Sequence, residues 1–198
     1  MEEGLGLARQ SGDRDQICGL LLNLGVTVAE QGHDAQAETY LLEGLTIARQ
    51  IRHQEWTIVL LLNMGEMSVD QGNFANAEVY YSEALTLARQ ISNREWIGIL
   101  LINMGKLAQK QGNYTQANTY LLESLKLARQ ISRPRMICVC FYEYGNLYLL
   151  QKQFEAAERS FKEMLASIPE GDQELLSLAQ YGLARMAAIR GDTVEARK

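Results

Sequence analysis

Apolar residues recur three, four and seven places apart along nearly the whole chain, and the pattern breaks only at short polar steps. Leu61, Met64, Gly65 and Met67-Ser68 mark one face of one stretch, and Phe141, Tyr144, Gly145 and Tyr148 mark another. That spacing is the 3.6-residue period of an amphipathic helix. The companion stretches put Ala77, Tyr81, Ala84, Leu85 and Ala88 on one side. Their small residues let two helices come close, with Gly65 and Ala77 as the expected nearest points. The polar steps are Gln31-Gly32-His33-Asp34, Gln71-Gly72-Asn73-Phe74 and Gln111-Gly112-Asn113-Tyr114. Glycine just past an apolar stretch signals a helix C-terminus, and the Asp or Asn after it suits an N-cap. A second set of turns, Arg52-His53-Gln54, Ser92-Asn93-Arg94 and Ser132-Arg133-Pro134, separates one helix pair from the next. Pro134 fits a first helical turn, where its missing N–H costs nothing. Helices are therefore predicted at about 14–31, 34–51, 54–71, 74–91, 94–111, 114–131, 134–151, 154–167 and 173–190.

The pairs repeat. Gly25, Gly65, Gly105 and Gly145 stand 40 residues apart, and an Ala-Arg-Gln phrase ends at Gln10, Gln50, Gln90 and Gln130. A fixed period of roughly 20–50 residues signals a stacked array in which no unit buries its apolar face alone. The expected fold is all-α, a right-handed α-α superhelix of antiparallel helix pairs. It forms a single array over 1–198, with a partial repeat at 1–11, repeats at about 14–53, 54–93, 94–133 and 134–170, and a partial repeat at 173–198. The fourth repeat ends differently, on Ile168-Pro169-Glu170-Gly171, and the next is one residue out of step, Ala196 following Ala157 by 39. Both ends read as cuts through a longer array.

Composition narrows the function. With 47% hydrophobic residues in 198 and two prolines, a buried helical core is expected. Cys18, Cys138 and Cys140 are an odd set, so a disulfide framework is not expected and a reducing cytoplasm is the natural setting. A net charge of −5 argues against a nucleic-acid partner. The acidic start Met1-Glu2-Glu3 is unlike a signal peptide, and apolar runs such as Ile58–Leu62 are far too short to cross a bilayer, so no membrane partner is expected. No phosphate loop, Cys-x-x-Cys or His-x-x-x-His spacing is present, and His33 and His53 lie in polar turns, read as surface positions. The expectation is a binding module, not an enzyme, with no cofactor and no metal.

Leu24-Gly25 with Ala37, Met64-Gly65 with Ala77 and Tyr81, Met104-Gly105 with Ala117 and Leu121, and Tyr144-Gly145-Tyr148 with Ala157, Phe161 and Pro169 resemble the tetratricopeptide repeat. The common form has about 34 residues. The 40-residue spacing here resembles the longer variant of kinesin light chains. The phrases Arg94-Glu-Trp-Ile-Gly-Ile-Leu-Leu-Ile-Asn-Met-Gly105 and Gln111-Gly-Asn-Tyr114 are still more similar to repeats of bacterial STAND-type signalling ATPases and regulators. The resemblance implies a concave face lined by the first helix of each pair, a protein or peptide ligand, and a sensor or autoinhibitory role beside an effector or ATPase domain. The carboxylate clamp of chaperone-binding modules is not matched.

Asn23, Asn63 and Asn103 stand two residues before the repeat glycine, so stacking would set their amides in a ladder facing a peptide backbone. Alternatively they bond to one another or to nearby carbonyls. One residue after each glycine stand Val26, Glu66, Lys106 and Asn146; five after stand Glu30, Asp70, Lys110 and Leu150. These positions vary where the scaffold does not, as a partner-selecting surface would. Glu66 with Lys106 and Asp70 with Lys110 could also pair with each other, each pair contributing roughly 0–1 kcal/mol. Glu143 replaces the fourth asparagine, and Tyr142 beside it is a candidate for stacking on a ligand. Phe141, Tyr144 and Tyr148 read as core, and Trp56 and Trp96 as wedges between repeats. The rival reading is a passive assembly scaffold that uses its open ends, around Leu5, Leu7 and Ile17, or its convex face.

Overall fold

The chain was analysed as a computed structural model, which describes residues 2–191. Among them stand ten α-helices: α1 (Glu2–Ser11), α2 (Arg14–Glu30), α3 (Asp34–Gln50), α4 (Gln54–Asp70), α5 (Phe74–Gln90), α6 (Arg94–Lys110), α7 (Tyr114–Gln130), α8 (Pro134–Leu150), α9 (Phe154–Ser167) and α10 (Gln173–Arg190). Each predicted helix is found within a residue of its expected bounds. Ala196 and the rest of 192–198 lie outside the described residues.

Side chains at the polar steps explain the starts. The carboxylates of Asp13 and Asp172 and the amide oxygens of Asn73, Asn93 and Asn113 each accept a bond from the backbone N–H three residues on. His53 caps α4 in the same way, its Nδ1 accepting from the Trp56 N–H at 3.2 Å. Asp34 differs from expectation: it is the first helical residue of α3, and His33 precedes it with no side-chain cap bond.

Every helix from α2 to α8 for which the closing bonds are described ends the same way. The N–H three residues past the last carbonyl turn reaches back five residues, as in His33 to Val28 (2.9 Å) and His53 to Ala48 (2.9 Å). This closure needs one left-handed residue. Glycine supplies it after the first helix of three pairs, at Gly32, Gly72 and Gly112. Arg52, Ser92 and Ser132 supply it between pairs, with φ of 53–55°. An L-residue there carries roughly 1–2 kcal/mol of strain. Ser92→Gly is expected to raise the unfolding free energy by about 0.5 kcal/mol, because glycine's larger entropy loss, roughly 0.5–1 kcal/mol, offsets part of the relief. Thermal denaturation checks this, and a lower melting temperature would count against it.

The chain divides into two units, the first running to Trp96 and the second starting at Ile97. In the first, α2 packs on α3, α4 on α5, and α3 on α4. The nearest neighbour of Gly65 is not Ala77 but Tyr81, whose ring edge fills the space a Cβ would need. Gly25 likewise faces Leu41. The side chain that meets each of these glycines thus lies sixteen residues downstream, one helical turn beyond the alanine, whose own carbonyl lies 3.4 Å from the added Cβ at Gly25. Trp56 is a wedge as expected: its indole covers Gly19 of α2, and its Nε1–H donates to Asp15 Oδ1 at 2.6 Å. His53 Nε2 lies 3.5 Å from the same oxygen, so this histidine ties α4 to α2 instead of idling at the surface. Exposed pairs Arg9–Glu43 and Arg49–Glu83 add clasps at a 34-residue offset.

In the second unit Gly105 faces Leu121, and Phe161 sits fully buried between Gly145 of α8 and Gly182 of α10. Ile168 is extended, as a residue before proline must be, and this stops α9 three residues short of the other second helices. All three cysteines are free and buried. Burial pushes the Cys18 and Cys140 thiols up to about 11, so neither is a thiolate near neutral pH. No helix among the described residues is long and apolar enough to cross a membrane.

Candidate functional site

The first helices of neighbouring repeats leave clefts between them, and the variable positions fall into these clefts. In the first unit a cleft of about 350 Å³ opens between α2 and α4. Val26 and Glu30 line it from α2, Asn63, Glu66 and Asp70 from α4, and Ala29, Leu41 and Met67 give it apolar ground. The Asn63 Nδ2–H donates to the Val59 carbonyl of its own helix at 2.8 Å, a bond in which Oδ1 takes no part. Burial, with Glu66 and Asp70 nearby, holds the Tyr81 phenol above its usual range. Asn23 is exposed and borders a separate hollow of about 430 Å³ with Asp13, Asp15 and Trp56.

In the second unit a cleft of about 500 Å³ lies between α6 and α8. It brings together Lys106, Lys110, Glu143 and Asn146, four of the residues expected from the sequence, with Leu150 at its edge. Glu143 is 9% exposed, and burial raises its carboxyl above the usual range despite the opposing pull of Lys106 and of bonds from Asn146 and Gln109. Asn146 is oriented from outside: Arg185 Nη1 donates to its Oδ1 at 2.9 Å, which turns Nδ2 toward Glu143 Oε2 at 3.5 Å.

Two expected contacts lie elsewhere. Asn103 is 7% exposed, its Nδ2 donating to the Ile99 carbonyl and its Oδ1 accepting from Lys106 Nζ at 3.4 Å. The three amides therefore grade from exposed at Asn23, through half-buried at Asn63, to enclosed at Asn103. Tyr142 is half-buried and leans on Phe161, ring centroids 5.9 Å apart, within the α8–α9–α10 core. The neighbouring Phe141 and Tyr148 are half-buried and Tyr144 is buried, as core reading expected.

Sequence reasoning passed over Gln109, Tyr114 and Arg185. Gln109 sits three residues after Lys106 and so shares its helix face, a signal that was present. Arg185 lies 39 residues beyond Asn146, in the out-of-step fifth repeat, where a 40-residue comparison points to the wrong side chain.

The two units also differ in charge. Residues 1–96 hold fourteen Asp and Glu against six Lys and Arg, whereas residues 97–198 hold ten against thirteen. The overall acidity thus belongs to the first unit, and it matches the carboxylates of the first cleft and the lysines of the second.

One family description, tetratricopeptide repeat, matches residues 18–51 and again residues 56–130. Among solved structures the chain is similar to BtubC (BKLC) from P. vanneervenii, with a TM-score of 0.81 and 18% identity over 99% of this chain and 84% of that one. It is also similar to pilF of Pseudomonas aeruginosa, with a TM-score of 0.68 and 20% identity over 93% of this chain and 74% of that one. At these identities the likeness speaks for the fold. No curated protein matches the chain. Repeats of the matched family mediate protein–protein interaction. Residues 18–51 and 56–130 are therefore tetratricopeptide repeats, set in an all-α chain built from the antiparallel helix pairs of that fold.

Proposed function

We propose that the chain binds an extended protein or peptide segment along the clefts between its first-position helices. In this reading it is the sensor or autoinhibitory arm of a larger bacterial signalling protein, and an adjoining effector or ATPase domain is its second partner. One observation carries the ligand site. The positions one and five after the repeat glycine line clefts in both units: Val26, Glu30, Glu66 and Asp70 in one, Lys106, Lys110, Asn146 and Leu150 in the other. Side chains that pack the scaffold keep their type from repeat to repeat, while these change. A ligand held there would act by favouring one of two states of the adjoining domain, which requires different affinities for the two.

Asn63→Ala tests the site. Against a peptide selected from a random display library on the wild-type chain, loss of one hydrogen bond is expected to weaken binding by about two- to thirteenfold, or about 0.5–1.5 kcal/mol. The melting temperature should hold, because Asn63 is half-buried and bonds only within its own helix. Unchanged affinity would move the ligand off this cleft.

Exposed apolar side chains favour a second reading, a passive assembly scaffold. Leu7 is 61% exposed on α1 and Val79 62% exposed on α5. Leu5 and Ile17, once candidates for the same contact, are buried with Ala8, Leu21 and Leu24 and are not offered to another copy. Light scattering separates the two readings: a mass that stays monomeric as concentration rises removes the scaffold.

A further inference from the structure

The cleft of the second unit has an unusual floor. Glu143, more than nine-tenths buried, lines the cleft together with two exposed lysines that stand one helical turn apart on α6. The titratable and charged groups that face it are Lys106 and Lys110 from α6, Tyr114 from the start of α7, and Arg185 from α10 acting through Asn146. Three of these are cations, so the opening attracts an anion. The carboxyl at its floor would repel that anion if ionised, and would donate a hydrogen bond to it if protonated.

The amides are set for the same purpose. Arg185 fixes the Asn146 amide with its NH₂ toward Glu143, and Gln109 Nε2 donates to the Glu143 backbone carbonyl at 3.5 Å. The Glu143 carboxyl and Lys110 line the opening beside these amides, and Lys106 reaches it while bonded to Asn103 Oδ1. From this geometry we infer that the cleft holds a carboxylate of the partner segment between Lys106 and Lys110, and that this carboxylate and Glu143 share one proton taken from solvent. The inference rests on the peptide-binding reading and names the chemistry it recognises. A carboxylate brought beside Glu143 disfavours the charged form of the pair, so binding and protonation reinforce each other. Affinity then falls as pH rises, by up to about tenfold per pH unit for one proton. Both histidines of the chain, His33 and His53, lie in the first unit, so no imidazole of the second unit confuses the titration.

The probes are capped peptides of alternating Gly and Glu, the same peptide with Gln or with Lys in place of Glu, and the Gln peptide with a free C-terminal carboxylate. Binding to the full chain is followed by fluorescence anisotropy from pH 5.5 to 8, and proton uptake by calorimetry in two buffers of different ionisation enthalpy. The capped Glu peptide is expected to bind at least tenfold more tightly than the capped Gln peptide, weakening as pH rises with uptake of up to one proton. A Gln peptide that binds only with its terminus free would assign the site to a chain end instead of a side chain, with the same proton uptake. Glu143→Gln should flatten the profile and bind more tightly than wild type at pH 8. Lys110→Gln should weaken binding about tenfold and leave the slope. PH-independent binding, or an unchanged slope in Glu143→Gln, overturns the shared proton. Preference for the Gln or Lys peptide overturns the carboxylate and leaves peptide binding standing. No binding by any probe overturns both.

Discussion

Cutting Phe161 back to alanine is expected to cost about 3–5 kcal/mol, the largest loss from any single side chain in the second unit. The ring is fully buried and belongs to a cluster with Ala157, Met186, Leu183 and Tyr142. It touches three helices at once, because Gly145 of α8 and Gly182 of α10 both give up a side chain to admit it. Gly145 and Gly182 have no side chain to swing into the vacated space, so part of the cavity persists and adds to the lost transfer energy. Equilibrium denaturation with urea, read by far-UV circular dichroism, measures the change, and Trp56 and Trp96 report the first unit for comparison. Because neighbouring repeats in an array can unfold separately, the circular dichroism transition should broaden or split. A loss below about 1 kcal/mol would show that the socket collapses freely, contrary to its close packing.

Gly65→Ala is the second. Alanine improves helix propensity by about 1 kcal/mol, so in an open position this change would stabilise. Here the new methyl falls within the Tyr81 ring, which is 1% exposed and held on every side. Overpacking of that kind costs about 1–3 kcal/mol, and rigid aromatic carbons sit at the high end. The net expected loss is about 1–2 kcal/mol after the propensity gain. Gly25 and Gly105 provide an internal control, since both face a leucine, with added Cβ atoms at 2.9 and 3.0 Å. A leucine can change rotamer where a tyrosine ring cannot, so alanine at those positions should be nearly neutral. Melting temperatures of the three variants, compared side by side, decide whether the partner or the glycine sets the cost.

How much of this was legible beforehand depended on whether a feature repeats. Helix bounds were readable because caps and left-handed residues recur with the period, and Gly32, Gly72 and Gly112 mark them openly. The core was readable for the same reason: Ala37, Ala77, Ala117 and Ala157 are all fully buried. The half-buried place of Tyr142 was readable in the same way, since the equivalent positions Leu62 and Ile102 are apolar and buried, although the tyrosine itself suggests a groove contact. The gradation from Asn23 to Asn103 was not readable. Identical residues at identical repeat positions differ in burial because their neighbours differ, as with Lys106 arching back over Asn103. Positions one and five after the glycine were legible as variable, and their opposite charges as the pairs Glu66 with Lys106 and Asp70 with Lys110; what was not legible is that each sign gathers in its own cleft. Periodicity reports the scaffold; the proposed recognition surface lies where the residue type changes from repeat to repeat.

The glycine socket around Phe161 also settles where the chain can be shortened. A version ending between Ser167 and Gly182 would keep all of α9 and still lose one wall of that pocket, leaving an aromatic ring in water beside Tyr148 and Phe154. Such an open apolar patch invites self-association. The last complete helix pair is therefore not a free-standing module: α10 is its lid, and any fragment meant for expression must carry it.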